Sequence, residues 1–123
     1  MVTRALVAVV DDDESVRESL PDLLRERGFS ARAFASAHKF LASDDAAATR
    51  RLLLDIAMPG MSGPELQREL TLRGQMIPIV FITAHANQAV RRQLLDQGAV
   101  ERLFKPFSEQ QLQAALDAAI RQI

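Results

Sequence analysis

The sequence predicts an α/β domain, doubly wound, with a five-stranded parallel sheet and helices on both faces. Three observations carry that expectation. Leu6 to Val10, Leu52 to Leu54 and Ile77 to Ile82 are continuous aliphatic runs of strand length, as strands buried on both faces require. Segments with helical spacing of apolar residues alternate with these runs. Each run is followed by polar residues of a kind that collects at the carboxyl ends of parallel strands.

The elements follow in order. After the first strand, Val16, Leu20, Leu23 and Leu24 recur at helical spacing up to Gly28, which can close the helix in a left-handed turn. Pro21 lies inside this helix, where it removes the bond to the Arg17 carbonyl and predicts a kink, not a break. Phe29 to Phe34 alternates as a strand does, and Ser36 is placed to cap a short helix carrying Phe40 and Leu41. Ser43 to Arg51 is polar and alanine-rich and reads as loop. Ser62 with Glu65, ahead of Leu66 and Leu70, has capping-box spacing, and so does Ser108 with Gln111 ahead of the last helix. Residues from about Asn87 to Gln97 predict a fourth helix that ends at Gly98, with a fifth strand around Arg102 to Phe104. In the last helix Leu112, Ala115, Leu116, Ala119 and Ile120 form one apolar stripe. No repeat, linker or low-complexity tract interrupts the series.

Composition bounds the function. A chain of 123 residues fits one compact domain, and 48% hydrophobic with 25% charged residues excludes disorder. A net charge of -1 gives no concentrated basic face, so no direct contact with nucleic acid is expected. With no cysteine, neither disulfides nor thiolate metal sites can form, which is compatible with a reducing cytoplasm. No apolar stretch approaches the roughly 20 residues needed to cross a bilayer, and the expectation is a cytoplasmic protein without a membrane partner.

The chemistry sits at the strand ends. Asp11, Asp12, Asp13 and Glu14 follow Val10, Asp55 follows Leu54, Thr83 follows Ile82 and Lys105 follows Phe104. Two carboxylates about 5 Å apart repel by roughly 3 kcal/mol at an effective dielectric near 20, and Asp11, Asp12 and Asp55 would form three such pairs. Holding an ordinary carboxyl protonated at neutral pH costs about 4 kcal/mol, so the cluster calls for a counter-charge. Ligands that are all oxygen favour Mg2+ (or Mn2+), which takes one or two carboxylates and keeps other positions for water or phosphate. Each residue alone has a plainer reading. Asp13 and Glu14 complement the dipole of the first helix, Asp55 is a turn residue, Thr83 a strand-end hydroxyl and Lys105 a surface charge. His38 and His85 read as exposed residues. Arg91, Arg92 and Arg102 read as a solvated face or a basic contact surface.

Four motifs agree with one known pattern: VVDDDE after the first strand, LLLDIAMPGMSG around Asp55, FITA with Thr83, and FKPF with Lys105. In order and spacing, over essentially the whole chain, they resemble the receiver domains of two-component response regulators, in wording closest to receivers joined to LuxR-type regulators. The resemblance implies a flavodoxin-like (βα)5 fold and a single receiver domain over residues 1–123, with no output domain in this chain. It implies Asp55 as phosphoacceptor, and a metal held by Asp12, Asp11, Asp55 and the Ala57 carbonyl. Thr83 would then bond the phosphoryl oxygens and Lys105 would pair with them. The implied partners are a sensor histidine kinase, a downstream output domain or protein, and a second copy in a homodimer formed on phosphorylation. The implied activity is self-phosphorylation and slow dephosphorylation, not turnover as an enzyme. Met58, Pro59, Met61 and Gly63 would shape the turn after Asp55.

Two departures stand out. Arg102 occupies the position where the family usually has Tyr or Phe, so the usual aromatic switch is in doubt, and Phe104 faces the wrong way to replace it. Ala57 and His85 fill positions that often govern how fast water reaches an acyl phosphate. Two other functions compete. A haloacid-dehalogenase-type phosphatase would use Asp11 as nucleophile and Asp13 as acid and base, but needs an acidic pair at a strand end after Lys105, where only Glu109 and Asp117 follow. A pseudo-receiver would keep the fold for docking and lose the chemistry.

Overall fold

The computed structural model describes residues 5–83, 101–105 and 107–120, with the side chains of 101, 102, 104, 119 and 120 left outside the description. The aliphatic runs become parallel strands. β1 (Leu6–Val10), β2 (Ser30–Phe34), β3 (Thr49–Asp55), β4 (Ile79–Thr83) and β5 (Glu101–Phe104) form one sheet in the order β2-β1-β3-β4-β5.

Successive side chains leave a strand on opposite faces, and the aliphatic runs therefore feed two cores. Ala8, Val10, Leu52, Leu54 and Phe81 pack with Phe40, Leu66 and Leu70, which come from α2 (Ala37–Ala42) and α3 (Gly63–Leu72). Val7, Val9, Leu53, Val80, Ile82 and Leu103 pack on the other side. There they meet Leu20 and Leu24 of α1 (Glu14–Glu26) and Leu112, Ala115 and Leu116 of α4 (Glu109–Ile120). Helices on both faces of a parallel sheet are what the sequence predicts. The predicted fourth helix, with Arg91 and Arg92, lies outside the described residues, as do His85 and the Arg102 side chain.

The caps form at the serines that the sequence singles out. The Ser36 hydroxyl accepts from Lys39 N at 3.1 Å. Ser62 and Glu65 bond reciprocally at 3.2 and 3.3 Å, and Ser108 and Gln111 at 2.8 and 3.1 Å. α1 runs through Pro21 without a break, and Gly28 takes φ +93° behind it, a left-handed turn that side chains oppose. Arg27 then ties α1 to α4, donating to Gln113 Oε1 at 2.7 Å and to Glu109 Oε2 at 3.2 Å.

Two boundaries differ from expectation. The stretch read as loop up to Arg51 instead holds a 3-10 turn (Ala46–Ala48) and the start of β3 at Thr49. The polar side chains of that start find partners: Thr49 Oγ1 donates to the Asp45 carbonyl at 2.8 Å, and the Arg51 guanidinium lies over the Phe29 ring, 5.3 Å from its centre. β4 begins at Ile79, not Ile77, because Pro78 has no N–H to donate, although its carbonyl still accepts from Leu52 N at 3.0 Å.

Candidate phosphoacceptor and metal site

The strand ends are held together by main-chain bonds before any side chain acts. Asp11 N donates to the Phe34 carbonyl at 3.1 Å, Ile56 N to Ile82 at 3.1 Å, and Lys105 N to Thr83 at 2.8 Å. The carboxyl ends of β1, β3, β4 and β5 are therefore fixed side by side at one end of the sheet.

Of the residues expected there, Asp11, Asp12 and Asp55 converge: one oxygen from each carboxylate lies within 4.8 Å of the others. Asp11 and Asp55 are buried and Asp12 is exposed, which gives the cluster a closed floor and an open mouth. Lys105 Nζ stands 2.9 Å from Asp11 Oδ2 and 3.9 Å from Asp13 Oδ2, so the ammonium is already engaged by the acidic floor. Thr83 is buried, only 7% exposed, at the end of the neighbouring strand, and Ala57 is exposed two residues beyond Asp55.

The electrostatics match this geometry. Burial and the Asp11 charge push the Asp55 carboxyl up to about 7, with hydrogen bonds from Asp12 and Asp11 adding to the rise and Lys105 opposing it. Burial lowers the Lys105 ammonium, but its close contact with Asp11 and the charges of Asp11, Asp55 and Asp13 outweigh that and leave it raised. Lys105 alone does not neutralise three carboxylates. The oxygen donor set is that of a hard divalent cation, and Asp11 Oδ2 is a buried acceptor whose contact with Lys105 is an ion pair without hydrogen-bond geometry. These residues fit a small cation.

Asp13 takes a different role from its neighbours. Its Oδ1 accepts from Ser15 N at 2.9 Å and Ser15 Oγ at 2.7 Å, making it the cap of α1, and those bonds hold its carboxyl below the usual range. That is poor equipment for the acid-base residue of a phosphatase. Glu109 and Asp117 both lie in α4, where Glu109 pairs with Arg27, so no acidic pair closes such a site.

The turn after Asp55 is shaped by two glycines and a buried methionine. Gly60 takes φ +78°, and Met58 is 8% exposed beneath the turn. At Gly63 a Cβ would drive into the Asp55 carbonyl oxygen and lie 3.1 Å from Ile56 Cα and from Phe81 Cε1. The glycine lets α3 start against the strand end, where Gly63 N donates to Ile56 O at 2.9 Å. Because the obstacle is backbone, Gly63→Ala should lower unfolding free energy by about 1–3 kcal/mol in a urea titration. An unchanged midpoint would mean that the approach is not tight.

One site residue is not singled out by the sequence. Arg17 Nη1 donates to the Asp11 carbonyl at 3.1 Å, reaching back six residues from the second turn of α1. Its only sequence signal is a base set among Glu14, Glu18 and Asp22 in the first half of α1.

Residues 7–117 match the family described as response regulator receiver domain. The response regulator protein TodT of Pseudomonas putida is 38% identical over 117 residues, which are 95% of this chain and 52% of TodT. The transcriptional regulatory protein FixJ of Bradyrhizobium diazoefficiens is 34% identical over 99% of this chain and 60% of its own. The solved structure of response regulator StyR superimposes with a TM-score of 0.88 at 45% identity, covering 98% of this chain and 61% of StyR. The chain thus spans about half of TodT and somewhat more of the other two relatives. Among the described residues no helix is long and apolar enough to cross a membrane. The matched segment carries both cores and the acidic strand ends, and the chain belongs to the response regulator receiver domain family.

Proposed function

We propose that residues 1–123 act as one cytoplasmic receiver domain, a signalling switch in which Asp55 accepts a phosphoryl group from a sensor histidine kinase with Mg2+ (or Mn2+) bound. The observation that carries this reading is the convergence of Asp11, Asp12 and Asp55 within 4.8 Å beside the Lys105 ammonium. Asp11, Asp12, Asp55 and the Ala57 carbonyl would hold the cation. When bound, it supplies positive charge that offsets the carboxylates and the incoming phosphoryl oxygens.

The protein's own residues perform the rest. An Asp55 oxygen attacks phosphorus, the bond from phosphorus to the kinase histidine nitrogen breaks, and the imidazole leaves with its electron pair and takes up a proton. The reacting form is the carboxylate; without a cation Asp55 is raised to about 7, and a bound cation would favour the charged form that attacks. The Thr83 hydroxyl would donate to a phosphoryl oxygen and Lys105 would pair with another, the ammonium leaving Asp11 as it turns. Loss of that Lys105–Asp11 contact would carry the change toward the face expected from the predicted fourth helix (about Asn87 to Gln97), β5 and the last helix, α4. The relatives named as regulators support an output at transcription, through a domain or protein that this chain contacts directly or through a homodimer formed on phosphorylation.

Incubation with Mg2+ and acetyl phosphate, read by intact mass, tests the proposal. Wild type should gain about 80 Da and Asp55→Asn nothing, since a single carboxylate takes the group. If wild type gains no mass from acetyl phosphate or from a cognate kinase, the pseudo-receiver reading replaces this one.

A further inference from the structure

We propose that Arg17 is a positioning residue for the acidic site, holding the peptide from which Asp11 and Asp12 project in the orientation that lets them share a cation with Asp55. The inference rests on the metal-binding reading above and adds a residue to it. Asp11 is fixed at every polar atom. Its N–H goes to the Phe34 carbonyl at 3.1 Å, its Oδ1 accepts from Asp13 N at 2.9 Å, its Oδ2 faces Lys105 at 2.9 Å, and its carbonyl accepts from Arg17 Nη1 at 3.1 Å. The first two bonds set the strand end and the turn. Among the described residues, only the last of these acts on the plane of the peptide joining Asp11 to Asp12.

That plane needs holding. Three carboxylates within 4.8 Å repel one another, and Asp12, exposed at the mouth, has the most room to move away. Rotating the Asp11–Asp12 peptide is the easiest way to swing it out, and shared metal ligands tolerate displacements of only about 0.5 Å. Arg17 is well placed to prevent the rotation. Its own N–H bonds the Asp13 carbonyl at 3.2 Å, so its backbone is anchored in the opening of α1 while its half-buried side chain reaches back to the strand.

Geometry, not charge, is the means. Lys105 is the cation that acts on Asp55, and Arg17 is not among the groups that shift it. Among the described residues Arg17 joins no ion pair, although Asp13, Glu14 and Glu18 are near it in sequence; its donor goes to a carbonyl. A surface base serving only solubility would have no reason to do so.

The experiment uses the whole chain and Mg2+ itself, titrated by calorimetry at pH 8, with Arg17→Met, Arg17→Lys and Arg68→Ala as a distant control. Arg17→Met keeps the aliphatic stem and loses the donor, and should weaken Mg2+ binding about tenfold, the lower end of what one charge-assisted hydrogen bond is worth. Arg17→Lys should recover at least half of that loss. Phosphorylation by acetyl phosphate should be slower for Arg17→Met at low Mg2+ and return to within about twofold of wild type at saturating Mg2+, the split expected when binding alone is affected. The proposal is overturned if folded Arg17→Met binds Mg2+ like wild type, if Lys gives no rescue, or if the rate stays low at saturating Mg2+. Should Arg17→Met not fold, the same Mg2+ titration on Arg17→Lys and on Arg17→Gln decides: the Lys variant must bind more tightly than the Gln variant, whose shorter side chain cannot reach the carbonyl. If wild type itself binds no Mg2+, the proposed function fails first and takes this inference with it.

Discussion

Asp55→Asn should be more stable than wild type in metal-free buffer at pH 8, by about 2 kcal/mol, and indistinguishable from it near pH 4. The sign follows from the direction of the Asp55 shift. Its carboxyl is raised to about 7 in the folded protein, chiefly by burial and the Asp11 charge, against an ordinary value of 3.8. A folded value above the unfolded one means that the folded state binds the proton more tightly. Wild-type stability from this group is therefore fully present below the unfolded value, declines as pH rises from about 4 to about 7, and is level above that. The whole shift would correspond to about 4 kcal/mol. The open mouth at Asp12 and the shared proton of a coupled cluster reduce what a single substitution recovers, hence the smaller figure. An asparagine amide escapes the penalty because it carries no charge and can donate to the neighbouring carboxylates. Urea unfolding followed by far-ultraviolet circular dichroism suits a chain with no Trp or Tyr. A wild-type minus variant difference that stays flat between pH 4 and 8 would sink the assignment. Mg2+ should then raise the wild-type midpoint at pH 8 and leave the variant's almost unchanged, since a ligand stabilises only the form that binds it.

The same cluster shows what a sequence can and cannot convey. Strands β1 and β4 are legible because burial on both faces demands unbroken aliphatic runs, and the caps at Ser36, Ser62 and Ser108 because a hydroxyl ahead of a helix has one local use. Asp11, Asp12 and Asp55 are legible as a group because parallel strands bring their ends together whatever the details. Thr49 and Arg51 mislead because their partners, the Asp45 carbonyl and the Phe29 ring, come from elements whose placement only the fold decides. Asp13 is readable as serving α1, but its role as the cap, and not merely as a charge near the dipole, depends on backbone angles. Arg17 is invisible for a related reason: a donor aimed at a main-chain carbonyl six residues back leaves no residue-type signature in the chain.

Lys105→Met should cost about 3 kcal/mol in metal-free buffer at pH 8, and Asp55→Asn should restore much of it. Lys105 places its ammonium 2.9 Å from an Asp11 carboxylate that is fully buried. Removing one member of a buried pair strands the other, which costs more than the pair itself contributes. Methionine fills similar space, so the loss reports the charge and not a cavity. The lysine is partly exposed, at 22%, which places the figure at the lower end of the range for buried pairs. Without the ammonium the three carboxylates face one another unaided, and one of them must hold a proton at higher pH than before. Substituting Asp55 by Asn removes one charge from that set, so the double variant should be more stable than the sum of the two single changes predicts. A double-mutant cycle in urea reads this coupling directly, and additive effects would show that Lys105 and Asp55 do not share a field. The functional consequence runs the other way. Because Lys105 is held by Asp11 in the unphosphorylated protein, moving to a phosphoryl oxygen exchanges one anion for another of higher charge. On the proposed function, in which Asp55 is the acceptor, Lys105→Met should still gain about 80 Da from acetyl phosphate. Its amide shifts should stay confined to the strand ends where wild-type shifts spread to the face expected from the predicted fourth helix, β5 and α4. Equal spread in both proteins would show that the signal leaves the site by another route.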